Sequence, residues 1–174
     1  MKVALIVGHN SRSKGAYSPF LNMSEYDYFK SIVDKINSID DTIDIYCREP
    51  NNNYIQEMKP IVEEINKHNY NYILELHFNG GDRNVQGCEC LVYKYAPKAK
   101  ILAELFLDDL SKEYSQKNRG VKYVEKSSDR GGYGICKTRD TYILVEFFFG
   151  SNEEARKFKN IDKLAKFIVK FIRR

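Results

Sequence analysis

Short apolar runs alternate with amphipathic stretches along most of the chain, which predicts strands alternating with helices. The first run, residues 2–7, is continuous, β-branched and short, as expected of a strand buried on both faces. Gly8-His9-Asn10 ends it, and a polar loop over 11–22 follows, punctuated by Gly15 and Pro19. Ser24 predicts a helix N-cap, with Asp27 in the capping-box position and Phe29, Ile32, Val33 and Ile36 as the inward stripe. Residues 42–47 read as a second strand. Met58, Ile61, Val62 and Ile65 predict a helix whose regular part begins at Pro60. Residues 72–78 and 86–93 read as strands. Pro97 opens a helix carrying Ile101, Leu102, Leu105, Phe106 and Leu110. Residues 118–124 read as irregular or a short strand, 126–132 as a polar, Gly-rich loop over a site, and 134–137 as a short strand. The last strong strand is 142–148. Residues 151–154 cap the final helix, with its stripe of Phe158, Ile161, Leu164, Phe167, Ile168 and Phe171. The fold expected is α/β: one domain over 1–174, built on a twisted, mostly parallel mixed sheet of about six strands with helices on both faces.

Composition narrows the function classes. A chain of 174 residues buries a sizeable core without disulfide staples. Cys88 and Cys90 are the only close pair among Cys47, Cys88, Cys90 and Cys136, so all four read as reduced thiols. The run 3–7 is too short for a signal h-region or a membrane span, and Lys2 alone is a poor n-region. The expectation is a chain made in the cytoplasm without a signal peptide and without a membrane partner. The net charge of +4 is modest and suits anionic partners such as wall polymers. No basic block with interleaved aromatics is present, so nucleic acid is not expected as a partner.

The chemistry concentrates in a few residues. The runs VALIVGHN and ILELHFNG each reach a histidine near their ends, His9 and His77, and in open α/β sheets ligands bind beyond the carboxyl ends of strands. His68 falls in a polar turn and reads as solvated. Glu25 opens the first helix on its inward face, where the macrodipole alone also favours an acid. Glu75 shares a strand face with His77, as a rival ligand or a partner of the ring. Glu146 stands inside ILVEFFF, where an unpaired charge costs several kcal/mol, so it is paired (with an arginine such as Arg139), protonated, or placed for chemistry. Two imidazoles, one carboxylate and an open fourth position suit catalytic zinc, with Glu146 as a separate general base. No HExxH is present, so such a site is assembled from distant segments.

Ordered motifs across the chain then resemble the zinc-dependent N-acetylmuramoyl-L-alanine amidases (amidase type 3). They are Gly8-His9, Glu25, Asn66, Leu76-His77-Phe78-Asn79, Arg119-Gly120-Val121-Lys122, and Leu144-Val145-Glu146 with Phe149, Ser151 and Asn152. The resemblance implies one zinc ion held by His9, Glu25 and His77, Glu146 as the catalytic residue, and bacterial peptidoglycan as partner. The bond cut would join N-acetylmuramic acid to the L-alanine of the stem peptide. The chain looks like the catalytic domain of a phage endolysin, of a clostridial phage, acting on the wall after membrane breach. No wall-binding domain is visible: either there is none, or it lies C-terminal in a longer parent chain. Departures are Asn10 for the usual Gly, Glu75 for a small residue such as Ser, and Phe147-Phe148 for a Gly-containing pair. The competing readings are another zinc-dependent wall peptidase or deacetylase, or a non-catalytic wall-binding module. Arg130, Tyr133 and Arg139 are candidates for gripping the peptide.

Overall fold

In the computed structural model, which describes residues 1–174, the first apolar run forms β1 (Val3–Val7), buried along its whole length. The polar loop after it is not featureless: β2 (Tyr17–Ser18) and β3 (Met23–Ser24) pair as a small antiparallel hairpin. Helix α1 (Glu25–Ile39) starts where expected. The Ser24 hydroxyl accepts the Asp27 N–H at 3.2 Å and donates to the Asp27 carboxylate at 2.7 Å. Strand β4 (Asp44–Cys47) follows. Helix α2 (Tyr54–Ile65) begins at Tyr54 and not at Pro60, because Asn53 caps it by accepting the Gln56 N–H at 3.0 Å. Pro60 and Gln56 are both exposed, so the carbonyl that Pro60 leaves free meets water.

Strands β5 (Tyr72–Asn79) and β6 (Cys88–Tyr93) come next, then α3 (Pro97–Tyr114). The inward stripe of α3 is Ala99, Ala103, Phe106, Leu107 and Leu110, whereas Ile101 and Leu105 are more than half exposed. The small alanines let the helix lie close to the sheet, which a reading by side-chain size misses. Residues 118–124 form a full strand, β7 (Asn118–Val124). The expected short strand at 134–137 is instead α4 (Gly132–Lys137). The preceding turn is tied by Asp129, which accepts the N–H groups of Glu125 and Lys126, and Gly131 at φ 69° turns the chain into the helix. After β8 (Tyr142–Phe149), Asn152 caps a 3-10 helix, Glu153–Phe158, rather than the final helix. Helix α5 (Ile161–Ile172) has its own cap in Asn160. Phe158 therefore leaves the α5 stripe and stacks between Phe148 and Tyr114, at 4.4 and 4.2 Å.

The six-stranded sheet has the order β4-β1-β5-β8-β6-β7, and every pair is parallel except β6–β8. This is the mostly parallel mixed sheet expected, with helices on both faces. One face carries α1, α3 and α5 over a large core; the other carries α2 and α4 over a smaller one. Side chains alternate between the faces along each strand. Leu74, Leu76, Val145 and Phe147 point into the large core, while Ile73, Tyr142 and Leu144 point into the small one. Glu75, His77 and Glu146 continue the small-core face toward the carboxyl ends of β5 and β8. The polar site thus opens on the thinner layer.

Candidate metal centre

Three segments converge at the carboxyl end of the sheet. His9 follows β1 with φ 65°, a left-handed conformation that costs a non-glycine residue of order 1 kcal/mol or more. Its turn is held from two sides. The Asn10 side chain accepts the N–H groups of Arg12 and Ser13 at 3.0 and 2.8 Å, and Arg48 Nε donates to the His9 carbonyl at 3.1 Å. The departure at position 10 therefore has a structural role, as an Asx-type turn. Glu25 is the first residue of α1 and is buried. His77 lies within β5, in register with Glu146 on β8.

The Glu25 carboxylate is the hub. Its Oε1 lies 2.7 Å from His77 Nδ1 and accepts the Phe78 N–H at 3.1 Å. Its Oε2 lies 3.2 Å from His9 Nε2 and accepts the Ala16 N–H at 3.1 Å. Burial alone would raise this carboxyl, but the hydrogen bonds and charges of His77 and His9 outweigh it and bring it down to about 2. One donor atom from each of His9, Glu25 and His77 lies within 4.8 Å of the others, so the group can hold a metal ion. Two glycines back onto it. A Cβ on Gly8 would sit 2.5 Å from His77 Cε1, and one on Gly15 would sit 2.5 Å from His9 Cδ2 and 2.6 Å from Glu25 Oε2. The donor set of two imidazole nitrogens and one carboxylate fits zinc.

Glu75 is not among the three. It is buried, and its Oε1 faces the far ring nitrogen of His77, Nε2, at 3.0 Å. Its other oxygen accepts the Tyr142 hydroxyl at 2.7 Å. Burial pulls His77 down, but Glu75 and Glu25 on either side of the ring outweigh it and lift the imidazole to about 10. His68, by contrast, is half-buried, pairs with Glu64 at 3.4 Å and does not line the site.

Glu146 is 2 % exposed. Its Oε1 accepts from Arg130 at 3.0 Å, and its Oε2 has no hydrogen-bond partner. Its partner is therefore Arg130 and not Arg139, which donates to the carbonyls of Asn66 and His68. The Arg130 side chain is 71 % exposed and only caps the carboxylate. Burial is the main cause that pushes Glu146 up to about 7, reinforced by the negative charges of Glu25 and Glu89 against His77 and Arg130. His9, His77, Glu75, Glu146 and Arg130 line one cavity of about 370 Å³, closed on one side by residues 128–131. That segment is the expected loop over a site. A wider groove of about 790 Å³ between α3 and α5 is lined mainly by lysines and acids and holds none of these groups.

Sequence reasoning missed two residues here. Arg48 directly follows the apolar run of β4, and Tyr142 opens β8; each has a polar group next to a strand as its only sequence signal. All four cysteines are free thiols, as expected, and none reaches the site.

Comparison with known proteins places this geometry. A family model described as N-acetylmuramoyl-L-alanine amidase matches residues 3–174. An uncharacterized protein of Clostridium perfringens is 30 % identical over 180 residues, covering 99 % of this chain and 51 % of its own length. The chain therefore spans about half the length of that curated relative. Among solved structures, the catalytic domain of the CD27L endolysin targeting Clostridia difficile matches with a TM-score of 0.80 at 25 % identity, over 99 % of this chain and 96 % of that one. An N-acetylmuramoyl-L-alanine amidase from Clostridium difficile 630 matches at 0.78 and 20 % identity, over 98 % and 94 %.

Proposed function

This chain belongs to the N-acetylmuramoyl-L-alanine amidase family, and we propose that it is a zinc-dependent peptidoglycan hydrolase. In this reading it cleaves the amide between N-acetylmuramic acid and the L-alanine of the stem peptide. His9, Glu25 and His77 hold one zinc ion, and Glu146 is the catalytic base. The observation that carries the reading is a His-Glu-His donor set whose two histidines line the same cavity as Glu146, a buried carboxylate with one unpartnered oxygen.

When bound, zinc supplies Lewis acidity toward the scissile carbonyl and the attacking water. The chain's own residues do the rest. In the metal-free site Glu25 holds both imidazoles through its two oxygens, and the Ala16 and Phe78 N–H groups keep that carboxylate in place among the donor atoms. Glu75 holds the Nε2 side of His77, which leaves Nδ1 as the ligand atom. Glu146 accepts a proton from the attacking water on its free oxygen and returns it to the departing alanine amine. A carboxyl near pH 7 suits both halves of that transfer. Leu144 and the 128–131 turn wall the cavity and limit access of bulk water.

The finer expectations are part of the same proposal. Residues 1–174 form the catalytic unit of an endolysin acting on a clostridial wall, supported by the endolysin catalytic domain among its structural relatives. The longer Clostridium perfringens relative is consistent with a parent chain that carries a wall-binding segment. No helix is long and apolar enough to cross a membrane.

The test is a digest of purified peptidoglycan with and without chelator, read by mass spectrometry. New L-alanine amino termini that vanish with chelator are the expected result. New ends elsewhere in the peptide would replace the amidase reading with a zinc peptidase. Binding without new ends would make the chain a wall-recognition module.

A further inference from the structure

We propose that Arg48 forms a carboxylate subsite beside the metal centre, and that its occupant is the free carboxylate of the second residue of the stem peptide. The proposal rests on the amidase reading above for the identity of the peptide, but not for the existence of the subsite.

Arg48 is 6 % exposed, yet no carboxylate lies within ion-pair distance of it. Its one hydrogen bond within the protein is Nε to the His9 carbonyl, and its guanidinium lies 5.2 Å from the Tyr54 ring centroid. Both terminal nitrogens are left without a protein partner. Arg48 nevertheless lines the same cavity as His9, His77 and Glu146. Glu75 does not compensate it by contact, because its oxygens are spent on His77 and Tyr142. The other arginine of the cavity, Arg130, is exposed and already engages Glu146.

A buried guanidinium without an anion costs several kcal/mol. The nearby charge of Glu75, which does not touch the guanidinium, and the aromatic face of Tyr54 offset part of this, and the carbonyl of His9 fixes the plane of the group. What remains is a rigid fork of N–H donors aimed into a cleft, which matches a carboxylate bidentately. In the proposed substrate, the second stem residue is a glutamate that continues the chain through its side-chain carboxyl, so its α-carboxylate is free. In an extended peptide at roughly 3.5 Å per residue, that group lies about 7 Å beyond the scissile amide. A cavity of about 370 Å³ accommodates that much peptide. Arg48 would thus register the substrate, placing the scissile carbonyl over the metal centre, and would distinguish a free carboxylate from its amidated form.

The experiment uses two N-acetylmuramoyl peptides that differ only in D-isoglutamate or D-isoglutamine at the second position. KM and kcat are measured for wild type, Arg48→Lys and Arg48→Gln, all zinc-loaded. Wild type should show a KM at least about tenfold lower for the carboxylate peptide, the worth of one charge-assisted hydrogen bond, with similar kcat. Arg48→Gln should erase the difference, and Arg48→Lys should keep part of it. If Arg48 only supports the His9 turn, both peptides suffer alike and the ratio persists; that result overturns the subsite, as does an equal KM in wild type. Inhibition by N-acetylmuramic acid that is lost in Arg48→Gln, without a peptide preference, would move the carboxylate to the product's lactyl group and overturn this assignment. If wild type cuts neither peptide, the amidase reading fails by itself. Calorimetric titration of the two peptides then still decides: a tenfold preference lost in Arg48→Gln upholds the subsite, and equal or absent binding ends it.

Discussion

Glu146 and His77 are neighbours across β5 and β8, and each holds its proton more tightly than usual for a different reason, burial for Glu146 and two flanking carboxylates for His77. Burial holds the Glu146 carboxyl near 7, above its ordinary 4.5, so the folded state binds that proton more tightly than the unfolded chain. Ionising Glu146 therefore removes stability as pH rises from 4.5 to 7, and the whole cost is present above 7. Glu146→Gln should accordingly stabilise the zinc-free protein at pH 8 by up to about 3 kcal/mol, and by little at pH 4. The same change should lower amide cleavage by at least about 10²-fold while zinc content is kept. Urea melts at the two pH values, with metal analysis alongside, check this; a variant that is active, or less stable at pH 8, would remove Glu146 from the role. His77 gives the complementary prediction. Flanked by Glu75 and Glu25, the metal-free ring is charged at neutral pH, and a ligand must be neutral. Zinc uptake at pH 8 should then release about one proton, seen as a buffer-dependent heat in titration calorimetry. No release would mean that the ring is neutral before the metal arrives. Because Glu75 only holds the far nitrogen, Glu75→Gln should weaken zinc by about tenfold, and Glu25→Ala by clearly more. The reverse order would make Glu75 the ligand.

The elements explain why these groups meet. Strand alternation sends Glu75, His77 and Glu146 to the face covered only by α2 and α4, and the hairpin β2–β3 brings α1 round so that Glu25 enters from the other side. Gly15, just before β2, carries this geometry at φ 75° with its Cα side against His9 and Glu25. Gly15→Ala should push the two donors apart and cut zinc affinity by about tenfold or more, with the far-ultraviolet spectrum unchanged; unaltered affinity would show that the loop yields instead. Much of this architecture was legible in the sequence. The buried strands announced themselves as continuous apolar runs, Ser24 as a cap, and His9, Glu25, His77 and Glu146 as residues of the wrong polarity for their neighbours. What stayed hidden depended on contacts between distant segments. The cap of α2 at Asn53 was masked by Pro60, and the helix at Gly132–Lys137 is too short for periodicity to reveal. The choice of Arg130 over Arg139 for Glu146 is set by the 128–131 turn folding over the sheet end, which no local pattern encodes.

At the scale of the whole molecule, the proposed ligands tie together parts of the chain that the core alone joins more loosely. His9 follows β1, Glu25 opens α1 and His77 lies near the end of β5, so a bound ion closes loops that span the first half of the domain. The two cores share one sheet, and β1, β5 and β8 contribute alternate residues to both. One cooperative unfolding transition is therefore expected, not one for each face. Zinc that binds only the folded state stabilises it by RT ln(1 + [L]/Kd), about 2.7 kcal/mol at a hundredfold excess over Kd. For a domain of this size, that corresponds to a rise in Tm of roughly 5–10 °C. His9→Ala tests the origin of the shift most cleanly, because His9 is the most exposed of the three and lies outside both cores. That variant should melt near the wild-type zinc-free temperature and respond little to zinc in differential scanning calorimetry. A full zinc shift retained in His9→Ala would place the ion elsewhere. Two resolved transitions would mean that the thin α2–α4 layer, and the site it frames, comes apart before the rest of the sheet.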